Sequence, residues 1–150
     1  MKYFVYFSLS GNGDFLATLL KEKGYEPIKL EMLKTPKKIG FFTILRYGGR
    51  AMVNKKEKLA DIPLFIKEDD KVIIGSPIWN DRLSTPINAI LSKINFNKET
   101  TKFLVYPAGE GAKKVFKQVE KLGFKNAPVV ISNPLKNKEK VSELLKDFWK

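Results

Sequence analysis

The chain contains no cysteine and no histidine. Without thiols there is no disulfide, no thiolate nucleophile and no thiolate-ligated zinc or iron–sulfur centre; without imidazole the usual general base and metal ligand is missing. Hydrolase triads are thereby excluded, no metal is expected, and a redox role requires a bound cofactor that carries the chemistry itself. No apolar run approaches the roughly 18 residues of a membrane span, and no internal repeat, linker or low-complexity segment interrupts the sequence. Hydrophobic residues make up 43% and are spread over all 150 positions, a length that buries one sizeable core. A single soluble domain over residues 1–150 is expected. Met1-Lys2-Tyr3 enters an apolar stretch directly and leaves no room for a signal peptide, which points to the cytoplasm.

Acidic residues are scarce relative to basic ones, 16 against 28, for a formal charge of +12. The excess is regional: residues 21–60 hold 11 basic and 4 acidic residues and residues 101–150 hold 11 and 5, while residues 61–100 are near balance. A solvated lysine-rich surface accounts for such a pattern, and so does attraction to an acidic protein, a nucleic acid or an anionic membrane. No nucleic-acid-binding motif is present.

Five β-type runs alternate with helical patterns. The runs are Tyr3 to Phe7, Ile28 to Glu31, Lys71 to Ser76, Lys102 to Tyr106 and Pro128 to Ser132. Lys71 to Ser76 is continuously apolar after its first residue, as in a central parallel strand buried on both faces. Phe15, Leu16, Leu19 and Leu20 share one face of a first helix that runs to about Lys23 and stops at Gly24. Ser84 or Thr85 caps a helix with Pro86 in its first turn and Ile87, Ile90, Leu91 and Ile94 facing inward. Val115, Phe116, Val119 and Leu122 mark another helix, closed at Gly123, and Val141, Leu144, Leu145 and Phe148 a last one. From Met32 to Leu59 the pattern is irregular, with Phe41, Phe42 and Tyr47 either core or lining a ligand or partner surface. The alternation predicts a doubly wound α/β fold, a five-stranded parallel sheet with helices on both faces. For strand order 2-1-3-4-5 the ligand site lies at the carboxyl ends of the strands, where the loops after strands 1, 3 and 4 converge.

The first of those loops reads Ser8-Leu9-Ser10-Gly11-Asn12-Gly13, between an apolar strand and an amphipathic helix. Its glycines permit close backbone approach, its serines supply hydroxyl donors, and the helix start adds roughly half a positive charge, so it is built as a phosphate cradle. A Walker loop requires Gly-Lys-Ser/Thr, but Asp14 follows Gly13. A dinucleotide fingerprint requires a third glycine where Leu16 stands, although Glu31 lies at a suitable distance for a ribose contact. A glycine-rich turn that binds nothing is the bland alternative. Alternating hydroxyls around a glycine, with no basic side chain on the phosphate, is the remaining pattern.

Ser8-x-Ser10-Gly11-Asn12 resembles the phosphate loop of the flavodoxin family, which usually ends in Thr or Ser where this chain has Gly13. Gly75-Ser76-Pro77-Ile78-Trp79-Asn80, with Pro86 opening the next helix, resembles the loop that contacts the isoalloxazine ring, and Gly109-Glu110-Gly111 the glycine-containing turn beside that ring. The resemblance covers nearly the whole chain, including Tyr47-Gly48-Gly49 to Leu59, and is nearest to short-chain flavodoxin-like proteins. It implies FMN as cofactor, with the phosphate on Ser8, Leu9, Ser10, Gly11, Asn12 and Gly13. The ring would lie against Pro77, Ile78, Trp79, Asn80 and Asp81, with Ala108, Gly109, Glu110 and Gly111 passing close to it. Trp79 is the stacking aromatic; Tyr106 and Tyr47 are candidates for the second face, and Arg82, Arg46 and Arg50 are the cations expected near the ring. The implied function is electron transfer to or from a redox partner protein, an acidic one given the charge. Two alternatives stand beside it. One is an NAD(P)H-dependent flavin or quinone reductase with a small-molecule electron acceptor; the other is a non-redox nucleotide-binding or interaction module of the same fold.

Overall fold

The computed structural model describes residues 1–32, 64–109, 111–146 and 148. The expectations for Phe41, Phe42, Arg46, Tyr47, Arg50 and Glu110 concern residues outside this set. Strands β1 (Lys2–Tyr6), β2 (Glu26–Lys29), β3 (Lys71–Trp79), β5 (Lys102–Tyr106) and β6 (Val129–Val130) form a parallel sheet in the order β2-β1-β3-β5-β6. The parallel sheet is the one the alternation predicts, and its order is the flavodoxin-like one that the resemblance implies. It carries one addition, β4 (Arg82–Leu83), a short antiparallel strand folded back on the end of β3. The described helices are α1 (Asn12–Glu22), α2 (Thr85–Lys93), α3 (Lys113–Lys121) and α4 (Lys138–Lys146), with a 3₁₀ turn at Pro134–Lys136 before the last.

The period of two along each strand sorts the core into two layers. Val5 and Phe7, Val72 and Ile74, and Phe103 and Val105 pack against Ile87 and Ile90 of α2 and Val115 and Val119 of α3. Their alternates Phe4 and Tyr6, Ile73, and Leu104 and Tyr106 pack against Leu16 and Leu20 of α1 and Val141 and Leu145 of α4. Each fully buried aliphatic or aromatic side chain stabilises the fold by about 1.5–3 kcal/mol, so the central strands dominate the hydrophobic term. Gly24 and Gly123, with φ of 82° and 89°, follow α1 and α3 as expected.

Three expectations are corrected. Phe116, Leu122 and Leu144 are exposed, because the buried stripes of α3 and α4 are narrow and held by Val115 with Val119 and by Val141 with Leu145. Ser84 is the N-cap of α2 by position but makes no side-chain cap; its amide and hydroxyl are engaged by Ser76 Oγ at 3.0 and 3.1 Å. The edge strands are displaced from the predicted runs: β2 begins at Glu26 and β6 is only Val129–Val130. No helix among the described residues is long and apolar enough to cross a membrane.

Candidate functional site

At the carboxyl end of β1 the chain turns through Phe7 to Gly11 and enters α1. Gly11, at φ 85°, is the N-cap, so Asn12 and Gly13, expected in the loop, form the first turn of the helix. The Gly13 amide donates to Ser8 Oγ at 3.1 Å, which makes the buried Ser8 hydroxyl an internal tie of the loop. Ser10 is exposed and accepts from Asn12 Nδ2 at 3.2 Å, keeping its own proton to donate outward. The amides of Asn12 and Asp14 have no partner among the described residues, as the opening turn of a helix requires unless a cap or ligand supplies one. Asp14 would oppose an anion here, but Lys29 Nζ lies 2.9 Å from its carboxylate and Tyr6 donates its hydroxyl to it, also at 2.9 Å. Its charge is thereby offset, and the positive end of α1 stays available.

The absence of a third hydroxyl at position 13 has a packing cause. A Cβ there would lie 2.7 Å from Tyr106 Oη, 2.8 Å from a Tyr6 ring carbon and 2.9 Å from Ser8 Cβ, so the first turn of α1 is pressed against the sheet where only glycine fits. Tyr106, considered as a ring-stacking residue, is instead buried, and its hydroxyl donates to the Phe7 carbonyl. It braces loop 1 from below. Burial, with smaller contributions from neighbouring Tyr6 and Asp14, drives the Tyr106 phenol well above the usual tyrosine range.

Pro77, Ile78 and Trp79 were expected in a loop but extend β3, and the chain reverses in a two-residue hairpin at Asn80-Asp81. Both turn residues have positive φ, 50° and 63°, a backbone that Asn and Asp tolerate better than other side chains and that suits a tight hairpin. Trp79 is half-buried, pairs with Arg82 across the hairpin, and meets the edge of Phe7 with ring centroids 5.7 Å apart. At the tip, Asp81 Oδ1 is buried without a hydrogen-bond partner among the described residues. Position 111 faces it: a Cβ on Gly111 would lie 3.9 Å from that oxygen, which brings the hairpin and the loop after β5 together.

The loop after β5 carries Ala108 and Gly109, both exposed, and is held by residues that the sequence pattern did not single out. Asn133, in the left-handed region at φ 43°, donates through Nδ2 to the Ala108 carbonyl at 2.8 Å, and Ser132 Oγ donates to the Gly109 carbonyl at 3.3 Å. The Leu135 amide donates to Asn12 Oδ1 at 3.1 Å, and a Cβ on Gly11 would approach Leu135 Cδ1 to 3.3 Å. The loop after β6 is thus a fourth wall, tied to the loops after β1 and β5 at once. The Asn133-Pro134 dipeptide is a turn signal, but nothing in the sequence says what the turn touches. The expected site residues therefore assemble at one end of the sheet, apart from Glu110, which is not described. Within that assembly Ser8 and Asn12 have structural work to do.

No family model matches the chain, and no curated protein matches it in sequence. Solved structures do resemble it. A candidate flavoprotein of Bacteroides uniformis superposes with a TM-score of 0.71 at 16% identity, covering 97% of each chain. A Lactobacillus acidophilus flavoprotein solved in complex with FMN superposes at 0.62 with 18% identity, covering 94% of this chain and 97% of the other. The apo form of a flavoprotein from the same organism gives 0.62 at 15% identity, over 91% and 95%. At these identities the likeness establishes the fold.

Proposed function

We propose that the protein binds FMN across the loops after β1, β3, β5 and β6 and exchanges electrons with a protein partner. The reading rests on one observation: two amide donors, of Asn12 and Asp14, and one buried acceptor, Asp81 Oδ1, all without a partner among the described residues, stand at the same end of the sheet. Donors at a helix start suit a phosphate, and a buried carboxylate oxygen suits the N–H of a heteroaromatic ring. FMN carries both. The likeness in fold to a flavoprotein solved with FMN supports the choice. FMN, when bound, supplies reversible uptake of electrons, and the chain supplies position and field. Ser10 and the first-turn amides hold the phosphate, Asp81 orients the ring edge, and Trp79, fixed by Phe7, offers an aromatic surface. An acidic redox protein is the partner that a +12 chain attracts, with association slowing as salt rises.

The visible spectrum of the purified protein with and without added FMN tests the reading, and failure to take up FMN would overturn it. A hydrogen bond to a charged group contributes about 1.5–3 kcal/mol, so Ser10→Ala is expected to weaken FMN roughly tenfold or more while leaving riboflavin nearly unchanged. Equal loss for both ligands in a fluorescence titration would put the phosphate elsewhere.

Arg82 is the one cation of the hairpin, directly across from Trp79. A positive charge near the ring favours the more negative reduced flavin. Arg82→Glu is expected to lower the midpoint potential of the FMN-loaded protein by on the order of 20–40 mV, the two-electron equivalent of roughly 1–2 kcal/mol. Spectroelectrochemistry at low and high salt measures it. A potential unmoved by the charge reversal would place Arg82 away from the flavin.

A further inference from the structure

On the face of the sheet covered by α2 and α3, a groove of about 550 Å³ runs between the two helices from the hairpin outward. Its volume falls within the ~300–1,000 Å³ usual for small-molecule clefts. Four of its lining residues are cations: Arg82 from β4, and Lys114, Lys117 and Lys121 from α3. The three lysines recur at spacings of three and four, so they share one helix face and repel one another. No described lining residue is acidic, and neither of the ion pairs found among the described residues involves any of the four.

Asn88 of α2 also lines the groove, and it is 8% exposed. Its orientation follows from its neighbours. The Leu83 amide can only donate, so it faces Gln118 Oε1 at 2.9 Å, which turns Gln118 Nε2 toward Asn88 Oδ1 at 3.1 Å. Asn88 Nδ2 is then left as a donor, and it is buried with no partner among the described residues. A groove that gathers unpaired cations and a residue with an unsatisfied buried donor is a locally unfavourable arrangement, of the kind tolerated where a ligand completes it.

We infer that this groove is a binding site for a phosphorylated small molecule, its phosphate held by Lys114, Lys117, Lys121 and Arg82 and a polar acceptor of the same molecule taken by Asn88 Nδ2. The concavity and the buried donor favour a small ligand over a macromolecular one. An acidic protein surface or a nucleic-acid backbone would rest on the lysine tips and leave Asn88 as it is. Because Nδ2 is covered in the present arrangement, entry of the ligand displaces side chains at the rim. The site lies on the helical flank and does not depend on the FMN reading; only the hairpin, through Arg82, borders both.

Pyrophosphate titrated into the ¹⁵N-labelled full chain at about 150 mM salt, a concentration at which surface charges are screened within ~8 Å, tests the inference by two-dimensional NMR. The expected result is saturable shifts of the Asn88 and Gln118 side-chain amides together with the backbone amides of α3. In Lys117→Gln/Lys121→Gln, which changes only exposed positions, the dissociation constant should rise at least fivefold. Asn88→Leu should raise it as well, with the double lysine variant deciding if Asn88→Leu fails to fold. Non-saturating shifts spread over lysines of the whole surface, or affinity unchanged in the double variant, would overturn the site. Tighter binding of a single-stranded oligonucleotide than of pyrophosphate, with the Asn88 signal unmoved, would overturn the small-molecule assignment.

Discussion

Gly75→Ala is expected to lower the unfolding free energy by about 3 kcal/mol, at the upper end of overpacking costs. Gly75 sits in the middle of β3, between β1 and β5, where an added Cβ would lie 2.6 and 2.7 Å from two Phe4 ring carbons and 2.9 Å from Tyr6 Cβ. Neither neighbour has room to yield. Phe4 is fully buried and stacks on Tyr6 with centroids 4.8 Å apart and planes within 6°, so moving one ring moves both, and Tyr6 underlies the first turn of α1. Urea denaturation at neutral pH should show a lower midpoint with the slope unchanged, and the melting temperature should fall by roughly 10 °C. Trimming the ring by Phe4→Leu should relieve part of the clash. In a double-mutant cycle the two substitutions are then expected to couple favourably by about 1 kcal/mol or more. Additive costs would show that the strain is not relayed through Phe4, and an undiminished stability of Gly75→Ala alone would show that the sheet opens locally.

Stability is expected to fall steeply above pH ~10, where an unfolded tyrosine begins to ionise. Tyr106 is held well above the usual tyrosine range by burial first, then by the nearby Tyr6 and Asp14. Tyr6 is likewise raised, by burial first and then by its hydrogen bond to Asp14 and the charge of that carboxylate. A folded-state pKa above the unfolded one means that, past pH ~10, the native chain keeps protons that the unfolded chain has lost, and unfolding is favoured by each further rise in pH. Below that pH the contribution is fully present. A tyrosine that keeps its proton throughout removes about 1.4 kcal/mol per pH unit, so by pH ~11.5 Tyr106 should remove roughly 2 kcal/mol and Tyr6 a smaller, solvent-screened amount. Lys98, lowered by burial beside the Phe124 ring at 3.9 Å, works in the opposite direction near its own unfolded range and offsets part of the loss. Urea midpoints measured from pH 8 to 11.5, with tyrosinate absorbance read in parallel, check this, and Tyr106→Phe should at least halve the slope. A stability flat to pH 11.5 would mean that both phenols ionise without resistance.

Much of this architecture is local information. The five β-type runs, their alternation with amphipathic stretches, and the stops at Gly24 and Gly123 are set by side-chain period and by backbone freedom at single residues, so a parallel sheet covered by helices could be read before any fold was seen; the order β2-β1-β3-β5-β6, and with it the convergence of three loops, was implied by the family resemblance. The candidate loops were legible for the same reason: glycines and hydroxyls between a strand and a helix mean amide donors at a helix start.

What each residue in those loops touches was decided by tertiary packing. Position 13 is held to glycine because Tyr6, Tyr106 and Ser8 crowd that point from three directions, and Ser8 and Asn12 turn inward to bind Gly13 and Leu135. The Asn80-Asp81 hairpin forms because β3 finds two residues, Arg82 and Leu83, to pair with, and a two-residue strand has no period to announce it. Asn133 and the groove at Asn88 bring together groups separated by 25 and 30 positions along the chain. Periodicity reports which way a side chain faces within its own element; contacts across such separations depend on how the elements dock, and that is set by the sum of the core rather than by any one stretch of sequence.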